Sequence, residues 1–312
     1  MGTQKTGGTL QASRRRVLGL GACGLGALLL PGVVGTRKAV AATAPQESTL
    51  DRIKRTGVFN LGVREADPPY GFLDKDKHVG FSTEIAEKVY ERLQKELNTS
   101  IKINYVAVTV RTRIPLLLNG TIDIEAGATV ITKERVKIVD FSIPFFITAS
   151  TVITPADGPI RRTGDLSGKR VGGPRGGLEE LLFSKKLQAQ GIVKSPVRYI
   201  GFENPSEGFT ALQGGSIDAY TADGPLVYGL VKSTPDQAKW RVFDAGVNAT
   251  TQAFPLRQNS SSFASIINLT IVDVCESGQW QQMYQKYFVP VGLPKELDET
   301  SKFVLRMNSW GD

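Results

Sequence analysis

The chain of 312 residues is longer than one hydrophobic core usually organises, so we expect two lobes or domains. Its net charge of +8 is uneven: residues 1–41 contain six basic and no acidic residues, and the remainder carries 32 Lys and Arg against 30 Asp and Glu. A near-neutral remainder, without a basic stripe interleaved with aromatic residues, argues against a nucleic-acid partner.

Residues 1–41 have the features of an export signal. The run Ser-Arg-Arg-Arg-Val-Leu at 13–18 fits a twin-arginine pattern, an apolar segment continues to residue 34, and Ala-Val-Ala at 39–41 offers a cleavage site. Two alternatives are a retained membrane anchor, since the apolar segment approaches the length of a span, and lipoprotein processing with a lipid anchor at Cys23. Export predicts a periplasmic protein, and cleavage leaves Cys275 as a buried, unpaired cysteine.

Strands alternate with helices along the rest of the chain, which predicts an α/β fold. Apolar residues recur every four positions from Phe81 to Leu97, which indicates an amphipathic helix. Arg64 ends the first predicted strand, where open α/β sheets place ligand-contacting groups, and Asp67 follows in a proline-rich extended segment. The elements predicted before residue 127 are strands over 58–63, 103–108 and 121–125 and helices over 48–55, 81–97 and 111–118.

The stretch 127–142 combines a turn, a helix start and an arginine. Gly127 turns the chain after a buried strand, and Thr132 is predicted to cap a helix with Arg135 in its first turn. A helix N-terminus offers N–H groups to an anion, and the guanidinium of Arg135 suits a carboxylate. Spacing alone favours an alternative, in which Arg135 pairs with an acidic neighbour: Asp123, Glu125 or Asp140.

Two extended segments, 151–154 and 251–256, are predicted to cross between the lobes. They place residues 42–150 and 252–312 in the first lobe and residues 151–251 in the second. The second lobe is predicted to contain strands over 169–173, 197–201 and 217–222 and helices over 178–188, 207–213 and 225–232. Two helical regions follow: 263–287, with an apolar stripe typical of a core, and 294–310, a surface helix docked by Phe303, Leu305 and Trp310.

Two features of the second lobe suit a ligand. The glycine-rich turn at 172–177 has the spacing of neither a P-loop nor a dinucleotide fingerprint, so it is predicted to let a carboxylate approach the backbone amides of Gly176 and Gly177. Asp223 ends an apolar strand just before a predicted helix. It is either the N-cap of that helix or a ligand-binding group.

These motifs resemble those of the extracellular solute-binding receptors that serve ABC importers of polar amino acids. The resemblance rests on Gly-Ala-Thr-Val-Ile-Thr-Lys-Glu-Arg at 127–135 and on Phe141-Ser142 before a crossing strand, and it extends from about residue 48 to residue 289. It implies a type II periplasmic-binding-protein fold, with two α/β lobes joined by two crossing hinge strands. It also implies a monomer without a cofactor that binds an amino acid and delivers it to the permease of an ABC transporter.

Within this family the glutamate/aspartate-binding branch is the most similar, by residues 49–53, 63–65 and 113–121. In that branch, the arginine matching Arg135 binds the ligand α-carboxylate, the aspartate matching Asp223 binds the α-ammonium group, and two arginines reach the distal carboxylate. The chain departs from the branch where hydroxyl residues become Ala128, Val130, Gly177 and Leu178, and where a histidine becomes Pro205. The predicted ligand-binding residues are Arg64, Asp67, Arg113, Ala128, Val130, Arg135, Gly176, Gly177 and Asp223.

Enzymatic function is not expected. The single histidine, His78, lies in a polar turn, and no Cys/His cluster has metal-ligand spacing. An exported enzyme of the same fold, similar to a dehydratase, is one alternative, with Glu65, Asp67 and Asp223 as its candidate acid/base groups. A ligand-sensing module for a signalling partner is another.

Overall fold

The structure is a computed structural model that describes residues 47–310. The predicted export signal at 1–41 lies outside these residues. The helices are α1 (Thr49–Thr56), α2 (Phe81–Leu97), α3 (Arg113–Leu118), α4 (Leu178–Leu181), α5 (Leu187–Ala189), α6 (Pro205–Gln213), α7 (Gly224–Lys232), α8 (Ser261–Glu276), α9 (Gln279–Tyr287) and α10 (Glu299–Met307). None of these helices is long and apolar enough to span a membrane.

The strands form two five-stranded sheets and one small three-stranded sheet. They are β1 (Val58–Val63), β2 (Ala66–Asp67), β3 (Gly71–Asp74), β4 (Lys77–Val79), β5 (Lys102–Ala107), β6 (Ile124–Ala126), β7 (Asp140–Phe141), β8 (Phe146–Pro155), β9 (Arg170–Pro174), β10 (Arg198–Phe202), β11 (Ala219–Asp223), β12 (Trp240–Gln252) and β13 (Pro255–Leu256). We call the part of the chain built on the first large sheet the first lobe, and the part built on the second large sheet the second lobe.

The first sheet has the strand order β5-β1-β6-β13-β7. Strand β1 pairs in parallel with both β5 and β6, and its residues Phe59, Leu61 and Val63 are fully buried. Helices α2, α8 and α9 close a core with Trp280 among its fully buried side chains, and the indole N–H of Trp280 donates to the carbonyl of Phe145 at 2.9 Å. The parallel strands direct their carboxyl ends, with Arg64 just beyond β1, toward one edge of the sheet.

The second sheet has the order β10-β9-β11-β8-β12. Strands β9, β10 and β11 run parallel, and β8 and β12 run antiparallel to their neighbours. Buried clusters cover both faces, so this lobe has its own hydrophobic core. The glycine-rich turn after β9 and Asp223 at the end of β11 therefore lie at the same edge of the second sheet.

The chain passes between the sheets twice, from β7 into β8 and from β12 back to β13. Strands β8 and β12 also pair with each other, in two blocks: 146–149 with 249–252, and 151–155 with 240–244. Between the blocks, residues 245–248 of β12 lie opposite Ser150 of β8. The connection is thus one antiparallel ribbon, interrupted at Ser150.

The region after Thr132 differs from its prediction. In place of a helix the chain forms a single 3₁₀ turn, Arg135–Lys137, and Thr132 accepts a hydrogen bond from the Arg135 N–H at 3.2 Å. The following residues include β-branched Ile138 and Val139, which favour the extended chain that leads into β7. Thr132 therefore accepts the hydrogen bond expected of a capping residue, but no α-helix follows it.

Two other helical predictions need correction. In the C-terminal helix, Phe303 and Trp310 are 49% and 46% exposed, whereas Val304 is fully buried. The helical period places Ser301, Val304 and Asn308 on the docked face, so Phe303 does not hold the helix as predicted. The helix predicted over 178–188 is also divided, because a wider π-type turn, Leu182–Lys186, separates α4 from α5.

Candidate functional site

A cavity lies between the edges of the two sheets. It contains about 570 Å³ not filled by protein atoms, part of it open to solvent. Every predicted ligand-binding residue except Gly176 lines it. The lining residues are Arg64, Asp67, Val110, Arg113, Ala128, Val130, Arg135, Pro174, Gly177, Leu178, Glu179, Phe202, Glu203, Pro205, Tyr220, Ala222, Asp223 and Leu226.

The turn after β6 brings Arg135 to the cavity. Gly127 leaves room there for the buried side chain of Glu125, because a Cβ atom at this position would overlap Oε1 of that carboxyl group. After the turn, the carbonyl of Val130 accepts a hydrogen bond from Nη1 of Arg135 at 2.8 Å. No carboxylate of the described residues lies within the 4.0 Å ion-pair distance of Arg135. The predicted alternative, pairing with Asp123, Glu125 or Asp140, is therefore not observed.

Arg113 is a buried residue that lines the cavity. Its Nη1 lies 3.7 Å from Oε1 of Glu125, and Glu125 also accepts a hydrogen bond from the Thr129 hydroxyl at 2.5 Å. Burial lowers the pKa of Arg113 to about 10, so the group remains charged at neutral pH. Its Nε is buried and has no hydrogen-bond partner among the described residues. Leaving a buried donor without a hydrogen bond is unfavourable, and a ligand acceptor that bonded to this Nε would remove that free-energy cost.

Arg64 is paired within the protein. Its Nη2 lies 2.5 Å from Oδ2 of Asp67, and both residues are buried. The pKa of Asp67 is raised, chiefly by burial, although the positive charges of Arg64 and Arg113 oppose that shift. The sequence suggests two unbalanced positive groups at this end of the cavity. The structure instead gives each of these arginines an acidic neighbour, Asp67 for Arg64 and Glu125 for Arg113.

Asp223 stands at the first position before helix α7, but its side chain makes no capping hydrogen bond. It lines the cavity and is partly buried. Burial raises the pKa of Asp223 well above its ordinary value, and the nearby carboxyl groups of Glu179 and Asp67 raise it further. The side chains of Gln252 and Thr148 oppose that shift. Of the two roles open for Asp223, the geometry thus favours a group directed at the cavity.

The glycine-rich turn presents fewer free amides than its sequence predicts. The N–H of Gly176 donates to Oε2 of Glu180 at 2.6 Å, and the residue packs against the side chain of Arg111 at the rim. The N–H of Gly177 donates to the carbonyl of Pro174 at 3.2 Å. By contrast, the N–H of Ala128 has no hydrogen-bond partner within residues 47–310. On the first lobe, a carboxylate at Arg135 can therefore use the free amide of Ala128.

Two acidic residues of the cavity were missed from the sequence. Glu179 follows the glycine-rich turn and is buried with its side chain on the cavity wall. Glu203 lies at the rim, where Oε1 is 3.3 Å from Nη1 of Arg111 in the first lobe and 3.3 Å from Nη1 of Arg175 in the second. The pair Glu179-Glu180 was visible in the sequence, but nothing there indicated which of the two side chains faces inward. Glu65, a candidate acid/base group, is exposed and does not line this cavity.

The site contains no donor set for a metal ion. Within the part of the chain that the structure describes, no cluster of three His, Cys, Asp or Glu side chains is arranged to hold a metal. The cavity instead combines guanidinium groups, carboxyl groups and a free amide. This set suits a small molecule that carries both negative and positive charges.

The sequence matches the family described as "Bacterial extracellular solute-binding proteins, family 3" over residues 59–290. It is 33% identical to the L-glutamate/L-aspartate-binding protein of Pseudomonas aeruginosa, over 80% of this chain and 83% of that protein. It is 34% identical to a glutamine-binding protein of Geobacillus stearothermophilus, over 65% of this chain and 73% of that protein.

The fold is also found among solved structures. A solute receptor for L-cysteine from Neisseria gonorrhoeae superposes with a TM-score of 0.71 at 24% identity, and the match covers 81% of this chain and 98% of that one. This likeness confirms the predicted two-lobed, type II periplasmic-binding-protein fold. The chain belongs to the bacterial extracellular solute-binding proteins of family 3.

Proposed function

We propose that this protein binds an acidic amino acid, glutamate or aspartate, and delivers it to the permease of an ABC importer. The observation that carries the proposal is the set of three arginines, Arg64, Arg113 and Arg135, that line one cavity together with Asp223. The likeness to a relative named for glutamate and aspartate supports the same class of ligand. The ligand is expected to be captured by a monomer without a cofactor.

The ligand's α-carboxylate is assigned to Arg135. This guanidinium lines the cavity with no carboxylate of the described chain in ion-pair distance, and the free N–H of Ala128 lies on the same wall. The carbonyl of Val130 fixes Arg135 through its hydrogen bond to Nη1. A planar guanidinium held in this way matches a carboxylate with two parallel hydrogen bonds.

The α-ammonium group is assigned to Asp223 on the second lobe. Bringing a cation to this carboxylate favours its ionised form, which burial otherwise disfavours. The distal carboxylate is assigned to Arg113, with Arg64 and its partner Asp67 beside it. Because the groups for the two carboxylates lie on the first lobe and the group for the ammonium lies on the second, full contact requires both walls.

Glutamine is the competing ligand, and one observation favours it. Asp67 and Glu125 already balance Arg64 and Arg113 in part, so the distal end of the cavity is less positive than its arginines suggest. A neutral amide would then be tolerated at this end. The relative named as a glutamine-binding protein is similar in sequence to about the same degree as the one named for glutamate and aspartate.

The periplasm is the proposed site of action, by way of the export signal at residues 1–41. The double change Arg14→Lys and Arg15→Lys should keep the precursor in the cytoplasm if the twin-arginine route is used. Cell fractionation would measure this, and normal export of the double variant would favour the general secretory route. Processing at Cys23 would instead leave a lipid-modified protein in the membrane fraction.

Calorimetry with glutamate, aspartate and glutamine tests the proposed ligand. Hydrogen bonds to charged groups contribute about 1.5–3 kcal/mol, so Arg113→Ala should weaken glutamate binding by roughly tenfold to a hundredfold. The loss should be much smaller for glutamine, because its neutral amide gains little from the second charge. Arg135→Ala should instead weaken all three ligands alike, because each has an α-carboxylate.

Arg198→Ala is a matched control, since Arg198 is an exposed arginine on β10 outside the cavity. Its affinities should equal those of the wild type. Preference of the wild type for a neutral or basic amino acid would contradict the proposed ligand. Equal losses of glutamate and glutamine in Arg113→Ala would contradict the assignment of Arg113 to the distal carboxylate.

A further inference from the structure

Glu179 is a buried acidic side chain of the cavity wall that the ligand contacts above do not use. Its residue is 8% exposed and lines the cavity from the first turn of α4. The Ser150 hydroxyl donates to its Oε1 at 3.3 Å. No Lys or Arg nitrogen of the described residues lies within 4.0 Å of its carboxyl oxygens. A buried carboxylate without a paired cation is costly, so this group needs an explanation.

The glycine-rich turn makes the space that this carboxyl group occupies. A Cβ atom at Gly177 would lie 2.9 Å from Oε2 of Glu179, so a larger residue there would displace the group. Neither Gly177 nor Leu178 has a hydroxyl group to offer a ligand. Since Ser150 holds Oε1, Oε2 is the oxygen that remains for a ligand on this part of the wall.

We propose that Glu179 binds the ligand as a neutral carboxylic acid and donates the proton on Oε2 to a carboxylate oxygen of the acidic amino acid. This inference rests on the proposed function, because it needs an anionic ligand. An ionised Glu179 would have no proton to donate and would repel that ligand. Together with Asp67 and Asp223 it would also give the cavity as many negative side chains as it has arginines, before counting Glu203 at the rim.

The groups around Glu179 decide its protonation. Burial raises the pKa of Glu179, and it outweighs the opposing effects of the backbone N–H of Glu179, of the Ser150 hydroxyl and of Arg135 and Arg113 from the first lobe. Asp223 before α7 disfavours the charged form, and the hydroxyls of Tyr199 and Tyr220 are neutral neighbours. A ligand carboxylate adds a second negative charge beside the group, so the pKa of Glu179 should be higher still in the complex.

The consequence is a loss of affinity at high pH. Once the pH exceeds the pKa of Glu179 in the free protein, binding of glutamate must also take up a proton, and the affinity falls by up to roughly tenfold for each pH unit. Asp223 acts with the opposite sign, because the ligand ammonium group favours its charged form. A variant that keeps Asp223 and removes the titration of Glu179 separates the two effects.

Glu179→Gln is that variant, since the amide keeps the shape of the side chain and an N–H donor but does not titrate. Glutamate binding to the wild type and to the variant is measured in parallel by calorimetry over roughly pH 5 to 8.5, so that titration of the ligand's own groups affects both proteins alike. We expect the affinity of the wild type relative to the variant to fall at least tenfold across this range. The same titrations in buffers of different ionisation enthalpy should show that the wild type takes up more protons than the variant at the upper end.

Glu207→Gln is the matched control, because Glu207 is an exposed carboxylate of the same lobe, in the first turn of α6. It should keep the pH profile of the wild type. Parallel profiles for the wild type and Glu179→Gln, with glutamate still preferred, would overturn this inference alone. So would loss of glutamate binding at every pH in a Glu179→Gln protein whose circular dichroism shows it folded. A wild-type preference for a neutral or cationic amino acid would overturn the proposed function as well.

Discussion

The two walls of the cavity differ in charge. The first lobe contributes Arg64, Arg113 and Arg135, with Asp67 as its one acidic side chain in the lining. The second lobe contributes Glu179, Glu203 and Asp223, and no lysine or arginine of that lobe lines the cavity in residues 47–310. An amino acid carries opposite charges on adjacent groups, so each wall suits one part of it. Neither wall alone can satisfy both.

The two lobes also differ in how their charged side chains are paired before a ligand binds. On the first lobe two of the three cavity arginines already have an acidic neighbour, Asp67 for Arg64 and Glu125 for Arg113, whereas Arg135 has none in ion-pair distance among the described residues. On the second lobe the carboxyl group of Glu179 helps to raise the pKa of Asp223, and neither carboxyl group has a Lys or Arg of the described residues in ion-pair distance. The second wall therefore gains most from a positively charged ligand group.

Removal of the acidic group for the ligand ammonium should have the largest effect. Truncating one partner of a buried charge pair costs about 2–5 kcal/mol, so Asp223→Asn should weaken glutamate and glutamine alike by roughly 30-fold or more. Calorimetry measures both. Asp236→Asn, at an exposed aspartate of the same lobe, is the control. A loss confined to one ligand would show that Asp223 does not bind the shared ammonium group.

The same substitution should stabilise the free protein at neutral pH. The pKa of Asp223 is raised in the folded state, so the folded protein binds more protons than the unfolded chain once the pH exceeds about 4. By linkage, the contribution of this group to the free energy of unfolding falls as the pH rises from that value to the folded pKa. At pH 8, Asp223→Asn should therefore unfold at a higher urea concentration than the wild type. Its free energy of unfolding should be higher by on the order of 1 kcal/mol.

Urea titrations of both proteins at two pH values, about 4 and about 8, check this prediction. At the lower value the carboxyl group is protonated in the folded wild type and still about half protonated in the unfolded chain, so the difference between wild type and variant should shrink. A difference that stays constant with pH would mean that packing, and not charge, distinguishes the two proteins.

The smallest effect is expected at the rim, where the two walls meet. Glu203 contacts Arg111 of the first lobe and Arg175 of the second, each at 3.3 Å, and all three side chains are at least one-third exposed. Exposed ion pairs contribute about 0–1 kcal/mol, so Glu203→Gln should change the glutamate affinity by less than about fivefold. The change should vanish near 0.5 M salt, where screening removes exposed charge interactions. A larger loss that persists in salt would place Glu203 among the ligand contacts.

Patterns along one element were predictable from the sequence. Strand β1 lies at 58–63 as predicted, because an apolar run ended by turn residues has few alternatives to a buried strand. The amphipathic helix α2 was predicted for a similar reason, a sustained four-residue spacing of apolar side chains. These signals also indicate where strands end. That is why Arg64 and Asp223 were each expected at the carboxyl end of a strand, at the edge of its own sheet.

Pairings between elements were not predictable. The ion pair of Arg64 with Asp67, the contact of Arg113 with Glu125 and the inward direction of Glu179 depend on side-chain rotamers and on the packing of distant segments. The spacing of residues along the sequence does not determine these pairings. The hydrogen bonds that the amides of Gly176 and Gly177 donate could not be predicted either, because the acceptor of each bond is set by how the turn folds back.

The interruption of the ribbon between β8 and β12 lies within the second lobe. One residue of β8, Ser150, lies opposite residues 245–248 of β12, and Ala245 is buried there, where its carbonyl accepts a hydrogen bond from the Thr163 hydroxyl at 2.6 Å. Ser150 also pairs with Asp223 at the end of β11, and its hydroxyl donates to the carboxyl group of Glu179. The position of this one serine in the ribbon is therefore mechanically coupled to the positions of two carboxyl groups of the cavity.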